Sequence, residues 1–465
     1  MHSVDAAPAT VWGPPTPRNR AWQAHLAIAA AWFTVAVVVG MWLFGSGLQG
    51  LNQEGGPATS LGRITGLLSA DLLLIQVLLM ARIPWLERWY GQDRLARWHR
   101  QVGFTSFWLM LAHIFWITIG YASTQGIDVV RMGWQLTFDY PGMLLAVAGS
   151  ALLVGVVVLS IRAARRRLRY ESWHLLHLYA YLGIGLSIPH EIWTGSDFTT
   201  SALAQAYWWT LYAVALAAVL VFRVGLPLWR SSYHRLRVHA VTKEAPGVVS
   251  VYLRGRRLDR LQAKAGQFFL WRFLDGPGWS RAHPFTLSAA PRSHELRITV
   301  KNLGDGSARI ARLRRGTRAL IEGPMGAVTA ERRRRRKVLL IAAGVGITLI
   351  RSILDELVVA PGDVTVLYRV RDARRAVFRR EFDAFAHERG DRVFYLDGPR
   401  WRHGGWLPAN LAHLGGAGAL LWLVPDVLVH DVFVCGPPEW MDSVIDSLAE
   451  VGVPEDQIHR EEFTW

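Results

Sequence analysis

The first half of the chain is dominated by long apolar stretches. Six of them approach the roughly 20 residues that a helix needs to cross about 30 Å of hydrocarbon. They cover about 23–44, 61–81, 99–121, 140–161, 171–190 and 203–224. The first is longer than the apolar part of a usual signal peptide and no clear cleavage site follows it, so we interpret it as a retained span. The pattern predicts a six-helix transmembrane bundle over residues 23–226, preceded by a tail at 1–22.

After Arg230 the apolar runs become short and rich in β-branched and aromatic residues. Examples are "VVSVYLRG", "GQFFLWRF" and "ELRITVKNLG", which predict an antiparallel β-barrel domain over residues 233–330. From Lys337 onward strands such as "KVLLIAAG" and "DVTVLYRV" alternate with helical stretches. That alternation predicts an α/β domain with a parallel sheet and crossover helices over residues 335–465.

Basic residues outnumber acidic ones and cluster in alternate loops. The 465 residues include 52 Lys and Arg against 36 Asp and Glu, a net charge of +16 that suits either nucleic acid or an anionic membrane surface. The clustered arginines are Arg18, Arg20, Arg82, Arg88, Arg94, Arg97, Arg162, Arg165, Arg166, Arg167 and Arg169. Because such residues beside spans stay on the cytoplasmic side, they require no nucleic acid as partner. We expect a multi-pass protein of the plasma (inner) membrane, in contact with the lipid bilayer, with both termini cytoplasmic.

Composition also limits the metal chemistry. Hydrophobic residues make up 51% of the chain and charged residues 19%, which excludes a disordered or fibrous protein. The single cysteine, Cys435, excludes both a disulfide framework and a thiolate metal cluster. Any metal must therefore be held by histidine or carboxylate.

Four histidines lie at two depths in the third and fifth predicted spans. His99 and His113 are 14 residues apart, which is about 21 Å of rise and about 40° of rotation, so one helix face carries both. His177 and His190 are 13 residues apart, or about 19.5 Å, so the two helices can present paired imidazoles at two matching depths. Imidazole is a good iron ligand, and a polar ring in hydrocarbon is costly unless it is used. The spacing predicts two stacked haems, one near each membrane face.

Rotation along the fifth span does not fit an ideal helix. Thirteen steps of about 100° put His177 and His190 about 140° apart. A local irregularity is expected at Pro189, which cannot donate the ladder hydrogen bond, aided by Gly183 and Gly185. His174 competes for the inner position, but its 16-residue spacing to His190 gives about 24 Å and a worse depth match.

Simpler interpretations exist for the polar residues of the spans. His99 at a membrane interface could be solvated, and His113 could bond a neighbouring helix. Asp71 and Gln76 in the second span are also costly in lipid. For these two we favour a structural hydrogen bond within the bundle over a proton relay or a bond to a haem propionate.

The segment "RAHPFTLS" combines a basic group, a proline, an aromatic ring and hydroxyls, which together suit a flavin. Its candidate residues are Arg281, His283, Pro284, Phe285, Thr286 and Ser288. Phe285 can stack on the isoalloxazine ring and Thr286 can reach its polar edge. Arg281 or His283 can meet the pyrophosphate. The alternative is an ordinary strand with Phe285 and Leu287 in the core.

Two glycine-containing turns are candidate phosphate sites. "GDGS" at 304–307 offers backbone N–H groups and a hydroxyl, through Gly306 and Ser307, although alone it is only a turn. "GVGIT" lies between a strand and a helix, where small residues let backbone approach a nucleotide. Its expected contacts are Gly344, Gly346 and Thr348.

The end of the soluble half holds further candidates. After the second strand, Arg369, Arg371, Arg374 and Arg375 stand where a 2′-phosphate of NADPH would be recognised, with solvated charge as the alternative. Cys435 in "CGPPEWM" can sit beside the nicotinamide, although a buried cysteine is usually packing. Trp465, after Phe463, can fold back over the flavin until nicotinamide displaces it.

Together these features resemble the ferric reductase and NADPH oxidase superfamily, specifically its single-chain bacterial members, across about residues 60–465. Four signals coincide in order: the histidine pairs, "HPFTLS", "AAGVGIT" and "CGPPEWM". The resemblance implies two b-type haems held by bis-histidine ligation in the membrane. It also implies a soluble part similar to ferredoxin–NADP reductases, with FAD and NAD(P)H domains.

The resemblance further implies roles for individual residues. It makes His99 and His177 the inner-haem pair, and His113 and His190 the outer pair. It assigns to flavin Phe285, Thr286 and the terminal Trp465, and to the nicotinamide nucleotide residues 344–348 with Cys435, Gly436 and Pro437. The chain departs from the family at Ala343, where a glycine is usual, and at Leu349, where a proline is usual, which puts the usual nucleotide geometry in question.

The expected function is transmembrane electron transfer. NAD(P)H would deliver hydride to FAD, and electrons would pass through the two haems to an extracytoplasmic acceptor, dioxygen or ferric iron. A quinone or a partner protein as acceptor is one alternative. The other is a membrane-anchored flavin reductase whose spans bind no haem.

Overall fold

The computed structural model describes residues 21–45, 47–52, 55–161, 170–199, 201–401 and 404–461. They form two compact units, Ala21–Gly225 and Leu226–Trp465. The expectations for the leading tail, for the arginines of 162–169 and for Trp465 lie outside the described residues.

The first unit is helical. Its helices are α1 (Ala21–Phe44), α2 (Gly56–Leu79), α3 (Pro84–Tyr90), α4 (Gln92–Gln125), α5 (Val129–Asp139), α6 (Met143–Ser160), α7 (Tyr170–Trp193), α8 (Ser196–Thr199) and α9 (Ala202–Ala218). A π-helical segment, Val219–Gly225, continues α9 into α10 (Leu226–His234), the first helix of the second unit.

Five helices of the described chain are long and apolar enough to cross a membrane. They are Trp22–Phe44, Gly56–Leu79, Gln92–Gln125, Met143–Ser160 and Ala202–His234. The remaining predicted span does form a helix, the 24-residue α7, but it contains three histidines, a proline and two glutamates and is not among the five. The six-span count is therefore not confirmed, whereas a multi-helix membrane domain is.

Glycines bring the helices of the first unit close together. A side chain at Gly62 of α2 would lie 2.8 Å from the backbone nitrogen of Ile117 on α4. Between α6 and α7, a side chain at Gly149 would lie 2.5 Å from the carbonyl oxygen of Gly183. Small residues at helix contacts allow backbones to approach, which is the usual basis of packing in lipid. The two histidine-bearing helices are each held in this way by a neighbour.

The second unit begins with two antiparallel sheets. Their strands are β1 (Arg237–Ala245), β2 (Val248–Arg254), β3 (Phe268–Phe273), β4 (His283–Thr286), β5 (Glu295–Lys301) and β6 (Ala319–Met325), and the short helix α11 (Asp305–Ile310) follows β5. The sheet orders are β1-β2-β5 and β4-β3-β6, linked by the isolated bridges Arg237↔Arg318 and Leu287↔Ile298. Both sheets share one core, in which Phe269 and Trp271 are fully buried. Antiparallel pairing is confirmed, but closure into a barrel is not.

A five-stranded parallel sheet completes the second unit. Its elements are β7 (Lys337–Ala343), α12 (Ile347–Glu356), β8 (Val364–Arg369), α13 (Arg379–Arg389), β9 (Arg392–Leu396), α14 (Gly416–Leu423), β10 (His430–Cys435), α15 (Pro438–Glu450) and β11 (Ile458–Glu461). The order β11-β10-β7-β8-β9 confirms the predicted parallel sheet with crossover helices. From β7 the chain adds β8 and β9 on one side of the sheet and then β10 and β11 on the other. The switch point therefore lies between β7 and β10, and α/β folds bind ligands at such a point.

A buried aspartate, Asp431, forms hydrogen bonds with the backbone of the arginine-rich segment that precedes β7. Asp431 is fully buried, and its Oδ2 accepts hydrogen bonds from the backbone nitrogens of Arg334 and Arg335, each at 2.5 Å. His459 Nε2 lies 3.3 Å from Oδ1. Burial alone would raise the pKa of Asp431, but these hydrogen bonds outweigh it and lower the pKa.

This arrangement predicts a pH-dependent contribution to stability. Because the pKa of Asp431 is lower in the folded chain, its stabilisation is present above the unfolded pKa and is lost as the pH falls through the folded value. Asp431→Asn should reduce the free energy of unfolding by about 2 kcal/mol at neutral pH and by less in acid. Thermal unfolding in detergent across a pH series measures this, with the exposed Asp442→Asn as control. A deficit that stays the same at every pH would show that the charge contributes nothing.

Candidate functional site

The structure places the four histidines of α4 and α7 in two facing pairs. The ring centroids of His99 and His177 are 6.0 Å apart, with an interplanar angle of 64°. Those of His113 and His190 are 6.5 Å apart, with an angle of 45°. The helix assignment of α7 is continuous from Tyr170 to Trp193 through Pro189, so the rotation of about 140° expected for an ideal helix does not keep either ring from its partner.

Both imidazoles of α4 are oriented by backbone carbonyls of α2. His99 Nδ1 lies 3.0 Å from the Gln76 carbonyl oxygen, and His113 Nδ1 lies 2.7 Å from the Gly62 carbonyl oxygen. A carbonyl only accepts, so Nδ1 carries the proton in each ring and Nε2 carries the lone pair. That is the tautomer in which histidine ligates a metal through Nε2.

The imidazoles of α7 are oriented in the same sense. His190 Nδ1 lies 2.5 Å from the Ser187 carbonyl oxygen. The hydroxyl of Ser160 donates to the Val156 carbonyl at 2.7 Å, so it accepts from His177 Nδ1 at 3.3 Å. All four rings therefore present Nε2 as the ring nitrogen with the lone pair.

The separations within the pairs suit one metal between two imidazoles. With nitrogen–metal distances of about 2 Å on opposite sides of the metal, two ring centroids lie roughly 6 Å apart. The observed 6.0 and 6.5 Å agree with this geometry. The donor set thus fits two bis-histidine centres. Among the described residues no group of three or more His, Cys, Asp or Glu could hold a metal ion, so the rings lie in pairs only.

The space beside His113 depends on a glycine of α2. A side chain at Gly66 would lie 2.5 Å from His113 Nδ1 and 2.9 Å from its Cε1. The imidazole cannot relieve contacts this short without rotating away from Gly62. Gly66 is therefore a part of the site that the sequence did not reveal.

The polar residues of α2 have structural hydrogen bonds. Asp71 is 1% exposed, and its Oδ2 accepts from Thr34 Oγ1 at 3.2 Å, while its Oδ1 has no hydrogen-bond partner among the described residues. Tyr207 of α9 donates to the Thr34 carbonyl at 3.2 Å. Gln76 acts through its backbone, as the anchor of His99. The Thr34 contact agrees with the structural interpretation of Asp71, whereas the role of the Gln76 side chain stays a prediction.

Three of the flavin candidates lie together around β4. The rings of His283 and Phe285 are nearly parallel, at 17° and 6.1 Å between centroids. A side chain at Gly306 would lie 2.8 Å from His283 Cε1, so the turn at 304–307 borders this ring. Trp271 Nε1 holds the Phe285 carbonyl at 3.1 Å, and Phe285 itself is half-buried. The turn at 304–307 and the paired rings of His283 and Phe285 therefore lie next to each other.

The remaining flavin candidates have different surroundings. Thr286 is 5% exposed and Ser288 is fully buried, with its Oγ accepting from Thr299 Oγ1 at 2.7 Å. Ser307 Oγ accepts from the Gly304 nitrogen at 3.1 Å and donates to its carbonyl at 2.9 Å, so it caps its own turn. Half-buried Pro284 pairs with Leu270 on β3, and Arg281 is exposed. Ser288 and Ser307 thus already have partners within the chain.

A cleft of about 890 Å³ opens at the carboxyl ends of β7 and β10. The predicted nucleotide residues Gly344, Thr348, Arg369, Arg371, Arg375 and Pro437 line it. The antiparallel sheets contribute Thr299 and Lys301, and the parallel domain adds Trp406. The cleft is thus bordered by both the antiparallel sheets and the parallel domain. Lys301 and Trp406 had no motif around them and were not predicted.

Two glycines shape the bottom of this cleft. A side chain at Gly346 would collide with the carbonyl oxygen of Cys435 and lie 2.9 Å from the Gly436 nitrogen. A side chain at Gly436 would lie 2.6 Å from Cε3 of Trp440 and 3.2 Å from the Ala343 methyl group. Ala343 therefore occupies space that Gly436 leaves, which accommodates the departure from the usual glycine. Leu349, the other departure, is fully buried in the core.

Cys435 and Arg369 are both engaged with the chain itself. The Cys435 thiol is fully buried, its Sγ lies 3.8 Å from the Glu461 carbonyl oxygen, and burial raises its pKa. It is therefore a neutral thiol. Arg369 donates to the carbonyls of Val370, Leu396 and Pro399, and burial lowers its pKa. Arg371 is exposed, so its guanidinium is more accessible to a ligand than that of Arg369.

A buried charge network joins the antiparallel sheets to the parallel domain. Arg297 of β5 forms a bidentate pair with Glu381 of α13, at 2.7 and 3.1 Å, and donates to the Ser288 carbonyl at 2.7 Å. Arg351 of α12 lies 2.6 Å from Glu381 Oε2 and 2.7 Å from Asp355 Oδ2. Burial and the charge of Arg297 lower the pKa of Arg351. A charged residue in the middle of the apolar stretch "ITLIRSILDE" was the one signal for this network in the sequence.

Comparison with known proteins gives matches for both halves of the expected architecture. Residues 65–188 match the family described as ferric reductase like transmembrane component. The chain is 34% identical over 212 residues to the 3-ketosteroid-9-alpha-monooxygenase, ferredoxin reductase component, of Mycobacterium tuberculosis, covering 44% of this chain and 56% of that relative. It is 26% identical over 237 residues to dual oxidase 1 of Rattus norvegicus, covering 48% of this chain and 14% of that relative.

One solved structure among the matches is the flavohem-like FAD/NAD binding domain of nitric oxide dioxygenase from Vibrio cholerae. It is 23% identical with a TM-score of 0.38, and the match covers 50% of this chain and 98% of that chain. The chain spans little more than half the length of the Mycobacterium relative. The chain combines a ferric reductase like transmembrane component with similarity to a ferredoxin reductase component and to dual oxidase 1, and its resemblance to the ferric reductase and NADPH oxidase superfamily is confirmed.

Proposed function

We propose that this protein is a transmembrane oxidoreductase that moves electrons from cytosolic NAD(P)H to an extracytoplasmic acceptor, dioxygen or ferric iron. The observation that carries the proposal is the pair of facing imidazole pairs, 6.0 and 6.5 Å apart, on α4 and α7. Rings at two depths of one helix pair are what two haems b, stacked across a membrane, require. The relatives include a ferredoxin reductase component and a dual oxidase, both named for redox work.

In this proposal His99 with His177 holds the inner haem and His113 with His190 holds the outer haem. When bound, the cofactors supply the redox chemistry: FAD takes hydride from NAD(P)H and the haems carry single electrons. The chain supplies ligands whose Nδ1 protons are fixed by Gln76, Gly62, Ser187 and Ser160. Because two histidines would hold each haem, we expect the acceptor to be reduced without binding the metal.

The soluble part of the proposal assigns FAD to the surface of Phe285 and His283, and NAD(P)H to the cleft. Phe285, Thr286, Cys435 and Trp465 remain our proposed residues beside the reacting rings, with Cys435 acting through packing because its thiol is buried. Arg371, Arg375 and Lys301 give the cleft a basic rim. That rim favours NADPH over NADH, since a 2′-phosphate adds charge for guanidinium and ammonium groups to pair with.

The absorption spectrum of the purified full chain tests the proposal. We expect a b-type spectrum that NADPH reduces anaerobically in stopped flow and that dioxygen or ferric citrate reoxidises. A protein that carries flavin alone would establish the membrane-anchored flavin reductase instead. Haem that only a quinone or a protein partner reoxidises would keep the electron route and replace the acceptor.

Gly66 offers a test of the outer pair that leaves every ligand in place. Gly66→Ala puts a methyl group against the His113 ring, so we expect the ring to leave its Gly62 anchor and haem affinity to fall about 10- to 100-fold. Haem content per chain after purification measures this. Gly185→Ala is the matched control, since a side chain there meets nothing within 4 Å. Full haem content in the Gly66 variant would remove this glycine from the site.

A further inference from the structure

The helix α5 lies between two spanning helices and has three distinct faces. One face packs on the bundle: Met132 and Leu136 are 0% and 6% exposed and share a cluster with Ala122 of α4. Residues four apart on a helix lie nearly above one another, so each face is a stripe along the axis. Most residues of the other two stripes are exposed on the described chain.

The second stripe is apolar and exposed. Val130, Trp134 and Phe138 follow one another at intervals of four and are 83%, 67% and 54% exposed. The rings of Trp134 and Phe138 contact each other, with centroids 4.4 Å apart. Three large apolar side chains in water on an 11-residue helix would be unfavourable by about 1.5–3 kcal/mol each relative to burial. The stripe therefore needs an apolar environment that the described chain does not supply.

The third stripe is polar and lies one residue further along. Arg131, Gln135 and Asp139 are each rotated by about 100° from the apolar residue before them. Arg131 and Asp139 are exposed. The packed stripe begins two residues after the apolar one, about 200° away, so the apolar stripe points away from the bundle and the polar stripe lies between them.

The position of α5 is set by short connections at both ends. Gly126, with φ of 64°, ends α4, and Asp128 caps α5 by accepting from the Arg131 nitrogen at 2.9 Å. Gly142, with φ of 78°, begins α6. Because α4 and α6 are spanning helices, a helix joined to each of them by three residues lies at the level where they leave the hydrocarbon.

We propose that α5 is an interfacial helix that lies in one membrane surface, with Val130, Trp134 and Phe138 inserted at the boundary of headgroups and acyl chains. Its partner is the lipid bilayer, because the two adjoining spans also expose large apolar residues, such as Phe115 at 57% and Leu144 at 59%. An exposed stripe with tryptophan and phenylalanine beside a stripe with charged residues is typical of helices in the interface plane. The proposal rests on membrane crossing by α4 and α6 and not on the route of electrons.

Cysteine labelling tests the proposal, because the native Cys435 is fully buried and leaves a low background. Trp134→Cys and Gln135→Cys are adjacent in sequence but belong to the apolar and polar stripes. With nitroxide labels on the full chain in lipid nanodiscs, we expect position 134 to collide more with dioxygen, which concentrates in lipid. Position 135 should collide more with a water-soluble nickel chelate. Unlabelled wild-type chain in parallel gives the background.

A second pair of cysteine variants keeps the test valid if one of the first two folds poorly. Phe138→Cys and Asp139→Cys repeat the comparison one turn later, and the same alternation at both turns supports the proposal. Nickel access that is equal at 134 and 135, and again at 138 and 139, would overturn it in favour of a stripe exposed to water. Loss of access to both reagents at 134 and 138, relieved when the chain is diluted in lipid, would overturn it in favour of contact between two copies.

Discussion

Replacing His113 with Ala is expected to halve the haem content of the purified protein and to abolish electron transfer to the external acceptor. His113 faces His190 across 6.5 Å, and one imidazole alone leaves an axial position without its ligand. The inner pair, His99 and His177, has separate anchors on Gln76 and Ser160 and should keep its haem. Pyridine haemochrome assay gives the content, and ferric-chelate reduction in proteoliposomes gives the transfer.

The matched measurement is NADPH-driven reduction of a soluble dye, which should be unchanged because it needs only the soluble unit. His174→Ala is the control variant, since His174 is on the same helix but outside both ring pairs. Full haem content in His113→Ala would disprove the outer ligand assignment. Loss of dye reduction as well would indicate a folding defect, and His190→Ala then serves as the independent variant.

Glu381→Gln is expected to destabilise the soluble unit by about 3 kcal/mol, the lower end of the range for breaking a buried ion pair, since Glu381 is 29% exposed. Arg297 and Arg351 are only 7% and 9% exposed, so removing their shared carboxylate leaves two buried guanidinium groups facing each other. Asp355 compensates Arg351 in part, at 2.7 Å. Thermal unfolding followed by flavin fluorescence measures the loss.

The same variant should slow hydride transfer, because the network joins Ser288 of the antiparallel sheets to α12 and α13 of the parallel domain. Glu388→Gln on α13 is the control: its side chain is exposed and has no ion pair among the described residues. Unaltered unfolding in Glu381→Gln would mean that the arginines are solvated in solution.

Sequence patterns were sufficient for features that depend on local periodicity. Strand alternation predicted the parallel sheet, and the depth of His99 and His113 predicted two levels of rings that the structure then places opposite α7. The role of those rings as ligands stays a prediction. The strand β11 was missed because its four residues, "IHRE", have no apolar run.

Features that depend on distant partners were beyond the sequence. Arg297 and Glu381 are 84 residues apart, and no local pattern links them. The helix α5 is too short for a span, and the sequence predicted no element between the spans at 99–121 and 140–161. The hydroxyl of Ser307 caps its own turn, a contact that depends on backbone geometry and that the sequence did not reveal, and its contact with phosphate stays a prediction. The rotation of about 140° between His177 and His190 was calculated for an ideal helix. In the structure both rings nevertheless lie beside their partners on α4.

The anchors on α2 have a consequence for which changes the chain tolerates. Gly62 and Gln76 are 14 residues apart, the same interval as His113 and His99, whose rings they hold from an antiparallel helix. The spacing between the two carbonyls on α2 must therefore match the spacing between the two histidines on α4. One added or deleted residue between the two anchors would shift one carbonyl by about 1.5 Å and turn it by about 100° relative to the other. Between Gly62 and Gln76 the chain should therefore tolerate substitutions but not insertions or deletions, which we expect only at the ends of α2.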